Sequence, residues 1–284
     1  MGSWIMGGTP VIELLRAVFV APFADMAGNV TFLVEVLIGG IAAGLMYSLV
    51  ALGFVLIFKA SGVFNFAQGV MVLFSALTLV GLMERGVPVP AALALTALTM
   101  IALAFAIERV VLRPLVNQEP IILFMATIGL NFFLEGFGEM VWGANVKKLD
   151  IGIPDTSFIV RGVQMNRLEL TAALTAAVMV AVLAVFFQRT RIGRALRAVA
   201  DDHEAALSIG IPLKTIWVVV WSVAGLVAIV AGIMWGSKSG VQFSLSLIAL
   251  KALPVLILGG FTSVPGAIVG GLIIGVGEKI IERV

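Results

Sequence analysis

This 284-residue chain has no cysteine and a single histidine, His203. Disulfides and thiolate chemistry are therefore excluded, and a protein-built transition-metal site lacks its usual ligands. No G-x-x-x-x-G-K-[ST] loop occurs, so any ATP the protein depends on must be hydrolysed by another polypeptide. Charge is also scarce: 12% of residues are charged and the net charge is +2. The basic residues fall in short loops between apolar runs, where they act as topology signals and not as a nucleic-acid surface.

Apolar sequence fills the rest. Hydrophobic residues make up 61% of the chain, against roughly 45–50% in soluble proteins, and the mean hydropathy is +1.16. Several apolar runs are about 20 residues long, enough to cross a bilayer as helices. The expected fold class is an all-α, multi-pass membrane protein with about seven to nine transmembrane helices, one of them broken or re-entrant near the C-terminus. Residues 1–30 show no cleavable signal pattern. Val11, Leu14, Leu15, Val18 and Phe19 share a helical face opposite Glu13 and Arg16, which predicts an amphipathic helix lying in the interface. Residues 31–284 then form the transmembrane domain.

Spans are expected at 36–58, from Asn65 or so to Met83, and over 88–107, 120–142, 170–187 and 216–235. Gly40 and Gly44 give the first a G-x-x-x-G face for close helix contact. Asn65 and Gln68 stand where the chain restarts after Lys59, Ser61 and Gly62. Amides there must bond to neighbouring helices, cap the break, or line a solute path. In the fourth span Asn131 and Glu135 share a face, with Glu139 one turn on, within reach of headgroups. An intramembrane carboxylate is costly, so Glu135 is a candidate path residue. The last third is rich in glycine. Gly259 and Gly260 interrupt an apolar run before Pro265, and Gly266 and Gly270 repeat the four-residue spacing, consistent with a re-entrant hairpin or two short spans around a tight turn. Lys251, before that break, is a snorkelling anchor or a path-lining cation.

Two loops are long. One, 143–169, is polar and predicts a small, partly extended cap. The other, 188–213, is the strongly charged interruption QRTRIGRALRAVADDHEAALSIGIPL. Arg189, Arg191, Arg194 and Arg197 are followed by Asp201, Asp202 and Glu204, with Asp201 and Glu204 at capping-box spacing. Ala205, Ala206 and Leu207 predict a short helix with a smooth face, stopped by Gly210 and Pro212. Such a helix suits docking into another protein, or it is a loop whose arginines only set orientation. With this loop cytoplasmic, alternation places Lys59, Arg109, Arg113, Lys279 and Arg283 inside, and the 1–30 helix, the Glu84 turn and the 143–169 loop outside.

Five stretches taken in order carry a family resemblance: GGIAAGLMYSLVALGFVLIF, VFNFAQG, IERVVLRP, RTRIGRALRAVADDHEAALSIGI and ALKALPVLILGGFTSVPGAIVGG. Over about Leu33–Gly277 the chain resembles the permease subunits of branched-chain amino-acid ABC importers. The resemblance implies a second homologous permease subunit, two ATP-binding cassette ATPase subunits that use ATP and magnesium, and an extracytoplasmic solute-binding protein. It implies location in a bacterial inner membrane. This chain would bind no cofactor or metal itself and would meet lipid and an amino-acid solute, but no nucleic acid. The family's coupling element falls on Arg194–Gly210, with Glu204, Ala205, Ala206 and Gly210 matching its E-A-A-x-x-x-G signature. The family's N-F-A-H-G reads Asn65-Phe66-Ala67-Gln68-Gly69, so an amide replaces the imidazole. Such permeases continue into at least one further span, so the expectation is a chain cut short at Val284, or a lighter last helix pair. Cargoes open at this point are leucine-like amino acids, other amino acids, amides and urea. The rival class, a stand-alone secondary transporter or channel, would need several intramembrane coupling charges, and Glu135 alone is a fair candidate.

Overall fold

The computed structural model describes residues 28–62, 64–115, 118–201, 206, 208 and 210–283. The expected interfacial helix of residues 1–30 falls almost wholly outside them. The described chain is a helical bundle with one small hairpin. Its elements are α1 (Val30–Ser61), α2 (Gln68–Glu84), α3 (Val89–Ala106), α4 (Pro120–Trp142), β1 (Ser157–Val160), β2 (Val163–Asn166), α5 (Arg167–Arg189), α6 (Arg191–Asp201), α7 (Leu213–Ser239), α8 (Ile248–Gly259) and α9 (Val264–Arg283). A π-helical turn, Ile107–Leu112, and a 3-10 turn, Arg113–Leu115, extend α3, and a 3-10 turn, Phe243–Leu247, leads into α8. Among the described residues, α1, α3 with its extension, α4, α5, α7 and α9 are long and apolar enough to cross a membrane. The segments Gln68–Glu84 and Phe243–Gly259 are shorter apolar helices. The protein is a multi-pass membrane protein.

α1 is the axis. Asn29 caps it by accepting a bond from the Phe32 amide at 3.2 Å, and Gly62, at φ 67°, ends it with its amide on the Phe58 carbonyl. From Met46 to Ile57 every residue is buried. A helix apolar on all sides has no solvent face and belongs in a core. α9, α7, α5 and α8 surround it. The α1–α9 contact is backbone on backbone: a β-carbon at Gly44 would lie 2.7 Å from the Gly271 carbonyl oxygen, and one at Gly40 2.7 Å from Val276 Cα. In lipid, where burying apolar side chains against each other gains little, such close van der Waals approach is what holds helices together.

That pairing fixes the direction of α9. Gly40 meets Val276, Gly44 meets Gly271 and Leu272, and the Ser48 hydroxyl faces the Ile268 carbonyl at 3.4 Å, so α9 runs antiparallel to α1. Lys279 lies against Gly39, and the C-terminal residue of α9, Arg283, lies at the same end. The sequence reading put both with the arginine-rich loop; the structure puts them at the opposite end. A tight turn, with Gly260 at φ 86°, lets short α8 fold back on α9, and Gly259 and Gly266 touch backbone to backbone. From Val241 at the hairpin end the chain runs through α8 to Phe261, whose ring lies 5.3 Å from that of Phe58 near the end of α1, so α9 returns one step out of the alternation assumed from sequence.

The bundle therefore has two distinct ends. The hairpin end gathers the N-terminus of α1, the C-termini of α2, α4, α7 and α9, and the β1–β2 hairpin. Arg161 (φ 51°) and Gly162 (φ 86°) form the two-residue turn between the strands, both left-handed as a type I′ turn requires. Lys147 pairs with Glu84 there, and Lys238 with Glu169 at 2.6 Å. At the other end, the arginine end, lie the α1–α2 break, the Ile107–Leu115 turns and α6. Gly44→Leu is expected to destabilise the bundle by about 1–3 kcal/mol through overpacking. Gly136→Leu, at a site with open space around it, should be neutral. Thermal unfolding of the detergent-solubilised variants measures the difference.

Candidate functional site

Two features at the arginine end combine polar chemistry with close packing. The first is the break between α1 and α2. Asn65 folds its side chain onto the next turn, its Oδ1 accepting from the Ala67 amide at 3.1 Å, and the Gln68 amide donates to the Asn65 carbonyl at 3.2 Å. This Asx turn starts α2 without a Ser or Thr cap. The Phe66 amide donates to Thr127 Oγ1 on α4 at 3.0 Å, tying the break to a third helix. Phe64 stacks on Phe54 at 4.8 Å and meets Phe261 edge-on at 6.2 Å, so aromatic rings surround the polar turn.

Gln68 points into the protein. It is 0% exposed, and neither its Nε2 nor its Oε1 has a hydrogen-bond partner. Its side chain lies against the bare backbone of Gly53, where a β-carbon would sit 2.7 Å from the Gln68 amide carbon. Each orphaned polar group of this kind costs on the order of 1–3 kcal/mol. Asn65 is equally buried. Asn131 and Glu135 are half-buried on α4. They sit one and two turns beyond Thr127, roughly 6 and 12 Å along the helix. The structure thus brings Asn65 and Gln68 together and leaves Glu135 apart from them. Glu139 is exposed at the end of α4.

The second feature is the elbow between α5 and α6. Thr190 is extended and caps α6, its Oγ1 accepting from the Gly193 amide at 2.9 Å while donating to the Phe186 carbonyl at 2.7 Å. Gly193 packs on the Phe186 and Phe187 carbonyl oxygens, where no larger residue fits. Arg197 then reaches back: Nη1 donates to the Phe187 carbonyl at 2.7 Å and Nη2 to that of Gln188 at 3.5 Å, while Arg194 Nη1 reaches the Arg189 carbonyl at 3.3 Å. These are the orphan carbonyls at the negative end of α5, the place where a cation is most stabilising. Leu196 and Val199 are buried on the opposite face of α6, which packs on α1, α5 and α7. The elbow is fixed by bonds and by packing together.

These contacts revise the roles of individual residues. Arg197, read from sequence as facing a partner, is spent on fastening α6 to α5. Ala206, read as part of a smooth docking face, is 1% exposed and belongs to this chain's own core. Gly210 has φ 82° and is exposed, and the Ile211 amide closes a turn over it onto the Ala206 carbonyl at 3.0 Å. α6 ends at Asp201; Asp202, Glu204 and Ala205 lie outside the described residues.

Sequence reasoning missed Thr127 and the pairing of Glu108 with Arg113. Thr127 gave no signal, since a lone threonine is common in spans. Glu108 is almost fully buried and lies 3.6 Å from Arg113. An α-helix would send residues five apart to different faces; the π-helical turn, whose Arg113 amide bonds to the Glu108 carbonyl, aligns them.

A family model described as "Branched-chain amino acid transport system / permease component" matches residues 36–283. The high-affinity branched-chain amino acid transport system permease protein LivH of Salmonella typhimurium is 27% identical, over 90% of this chain and 88% of its own. The corresponding LivH of Escherichia coli K12 has the same identity and coverage. The permease protein BraD of Pseudomonas aeruginosa is 29% identical over 85% of this chain and 84% of its own. No solved structure matches the chain.

Removing the charged bonds at the elbow should loosen α6 without unfolding the bundle. Charge-assisted hydrogen bonds contribute about 1.5–3 kcal/mol. Arg197→Met is expected to speed amide exchange across 191–201 about tenfold or more, measured by hydrogen–deuterium exchange, while Arg191→Met, at an exposed position, leaves it unchanged.

Proposed function

The chain belongs to the branched-chain amino acid transport system permease component family, and from that premise we propose that it forms one wall of the path by which an ABC importer admits aliphatic amino acids. It is a transport subunit. ATP, with magnesium, is hydrolysed by two separate ATPase subunits, a second homologous permease supplies the other wall, and a solute-binding protein delivers cargo. The observation that carries this reading is the family match over residues 36–283 combined with the elbow, which lies within it.

The division of labour follows from the two ends. The arginine end faces the cytoplasm in this reading, because the family's coupling signature, Glu204 to Gly210, follows directly on its cluster of four arginines, Arg189, Arg191, Arg194 and Arg197. Residues Asp201–Gly210 take the push of the ATPase subunits. α6, pinned by Arg197 and Arg194 to the end of α5 and packed on α1, passes it to the spans. Its rigidity is what makes a lever: a flexible loop would absorb the displacement that a fixed elbow transmits.

The solute crosses between apolar walls with few polar groups. Asn65 and Gln68, expected on this path, are enclosed by the chain's own helices at the α1–α2 break, so Asn131 and Glu135, half-buried on α4, are the polar groups placed to line it. The relatives' names support branched-chain amino acids as cargo.

Affinity purification of the tagged chain from its native membrane should bring down an ATP-binding cassette protein. Glu204→Lys combined with Gly210→Trp should abolish uptake of labelled leucine while leaving membrane abundance unchanged. Uptake at the wild-type rate in that variant, or activity of the chain alone in liposomes, would contradict the lever.

A further inference from the structure

Lys251, Glu278 and Tyr47 form a polar cluster far from the elbow. The Lys251 ammonium donates to the Glu278 carboxylate at 3.1 Å and to the Tyr47 hydroxyl at 3.4 Å, and lies 5.9 Å from the centre of the Tyr47 ring. Tyr47 is 2% exposed, with its ring 5.3 Å from that of Trp235. The two charged side chains are not enclosed: Lys251 is 57% and Glu278 39% exposed.

Their level in the bundle makes that exposure significant. Tyr47 stands near the middle of α1 (Val30–Ser61), roughly 25 Å from its start at 1.5 Å per residue. Glu278 lies two residues beyond Val276, which meets Gly40, so it sits roughly 12 Å below the start of α1. Both Lys251 and Glu278 belong to apolar helical segments. A snorkelling lysine extends toward headgroups; this one is drawn onto a buried tyrosine and a carboxylate. Lipid cannot solvate an exposed ion pair at such a depth, so the pair must face protein or a water-filled path.

We propose that Lys251, Glu278 and Tyr47 form half of a zwitterion-binding station on the solute path, completed by the second permease subunit. The assignment rests on the reading of the chain as an amino-acid permease. The Lys251 ammonium receives the α-carboxylate of the solute and Glu278 its α-ammonium, while Tyr47, buried behind them, holds the ammonium in place. Leu247, one turn before Lys251 on the approach to α8, and Ile274, one turn before Glu278 on α9, border the station with apolar surface for an aliphatic side chain. Without solute the pair closes on itself. A zwitterion exchanges one internal ion pair for two external ones, and the site stays neutral throughout. A net cation or anion would leave one partner uncompensated in a medium of low dielectric. On release the internal pair re-forms, so the solute is not trapped.

The test is uptake of labelled leucine by the assembled importer carrying Lys251→Met with Glu278→Gln. A purely structural ion pair tolerates replacement of both charges by neutral groups of similar size. The proposal expects the double variant, like each single one, to lose uptake more than about tenfold, with membrane abundance and ATPase co-purification at wild-type levels. A double variant that transports within about twofold of wild type overturns it. Should the double variant fail to accumulate, Tyr47→Phe removes one hydroxyl alone and is expected to raise the KM for leucine at least about threefold; an unchanged KM overturns the proposal. A wild-type complex that transports leucine while the variants do so equally well defeats only the station. A wild-type chain that neither retains an ATPase nor transports leucine defeats the permease reading and the station with it.

Discussion

The close approach of α1 and α9 is the contact on which the rest of the bundle depends. Inside a membrane, apolar side chains gain little by leaving lipid for each other, so helices hold together where their backbones can come near. Gly40 and Gly44 on one helix, and Gly271 and Gly275 on the other, remove the side chains that would keep them apart. With that seam closed, α1 is buried around its middle and becomes a fixed axis. Its buried stretch carries Gly53, which leaves room for Gln68, and Tyr47, which receives Lys251. A loss of registry between α1 and α9 would therefore disturb both polar sites at once.

A second constraint acts at the arginine end. The last carbonyls of a helix are partial negative charges in need of donors. Arg197 and Arg194 meet that need for α5 from within α6, so two consecutive helices become one bent rod. One short segment thus serves helix capping and stiffness together, which gives its arginines work within so apolar a chain.

Local features were legible in the sequence. The glycine pair at Gly40 and Gly44, the chain break after Gly62 and the arginine stretch all depend on neighbours within a few residues, and each appears where its spacing indicates. The resemblance to a permease family rested on the same short motifs and is matched by the family model over residues 36–283. What stayed hidden needs long-range geometry. The direction of α9 depends on whether Phe243–Gly259 crosses fully, which composition does not settle; Lys279 and Arg283 were accordingly placed at the wrong end. Glu108 and Arg113 share a face only because the helix widens to a π-turn, which a reading at α-helical spacing does not show. Lys251 stood out as a charge in an apolar run, but its partners are contributed by helices far away in sequence, Tyr47 on α1 and Glu278 on α9. Ala206 matched a docking signature by spelling, while its environment turned it inward.

In the proposed function the stiff elbow lies on the cytoplasmic side and receives motion from a nucleotide-hydrolysing neighbour. Because the chain has no cysteine, single cysteines report on position without background. Arg191→Cys on α6 and Ile159→Cys on the hairpin are both at exposed positions. In intact cells stripped of their outer layers, a membrane-impermeant maleimide should label Ile159→Cys at once. It should label Arg191→Cys only after the membrane is opened, and more slowly when the ATPase subunits are bound. Labelling of Arg191→Cys from outside, or at a rate indifferent to those subunits, would contradict the account.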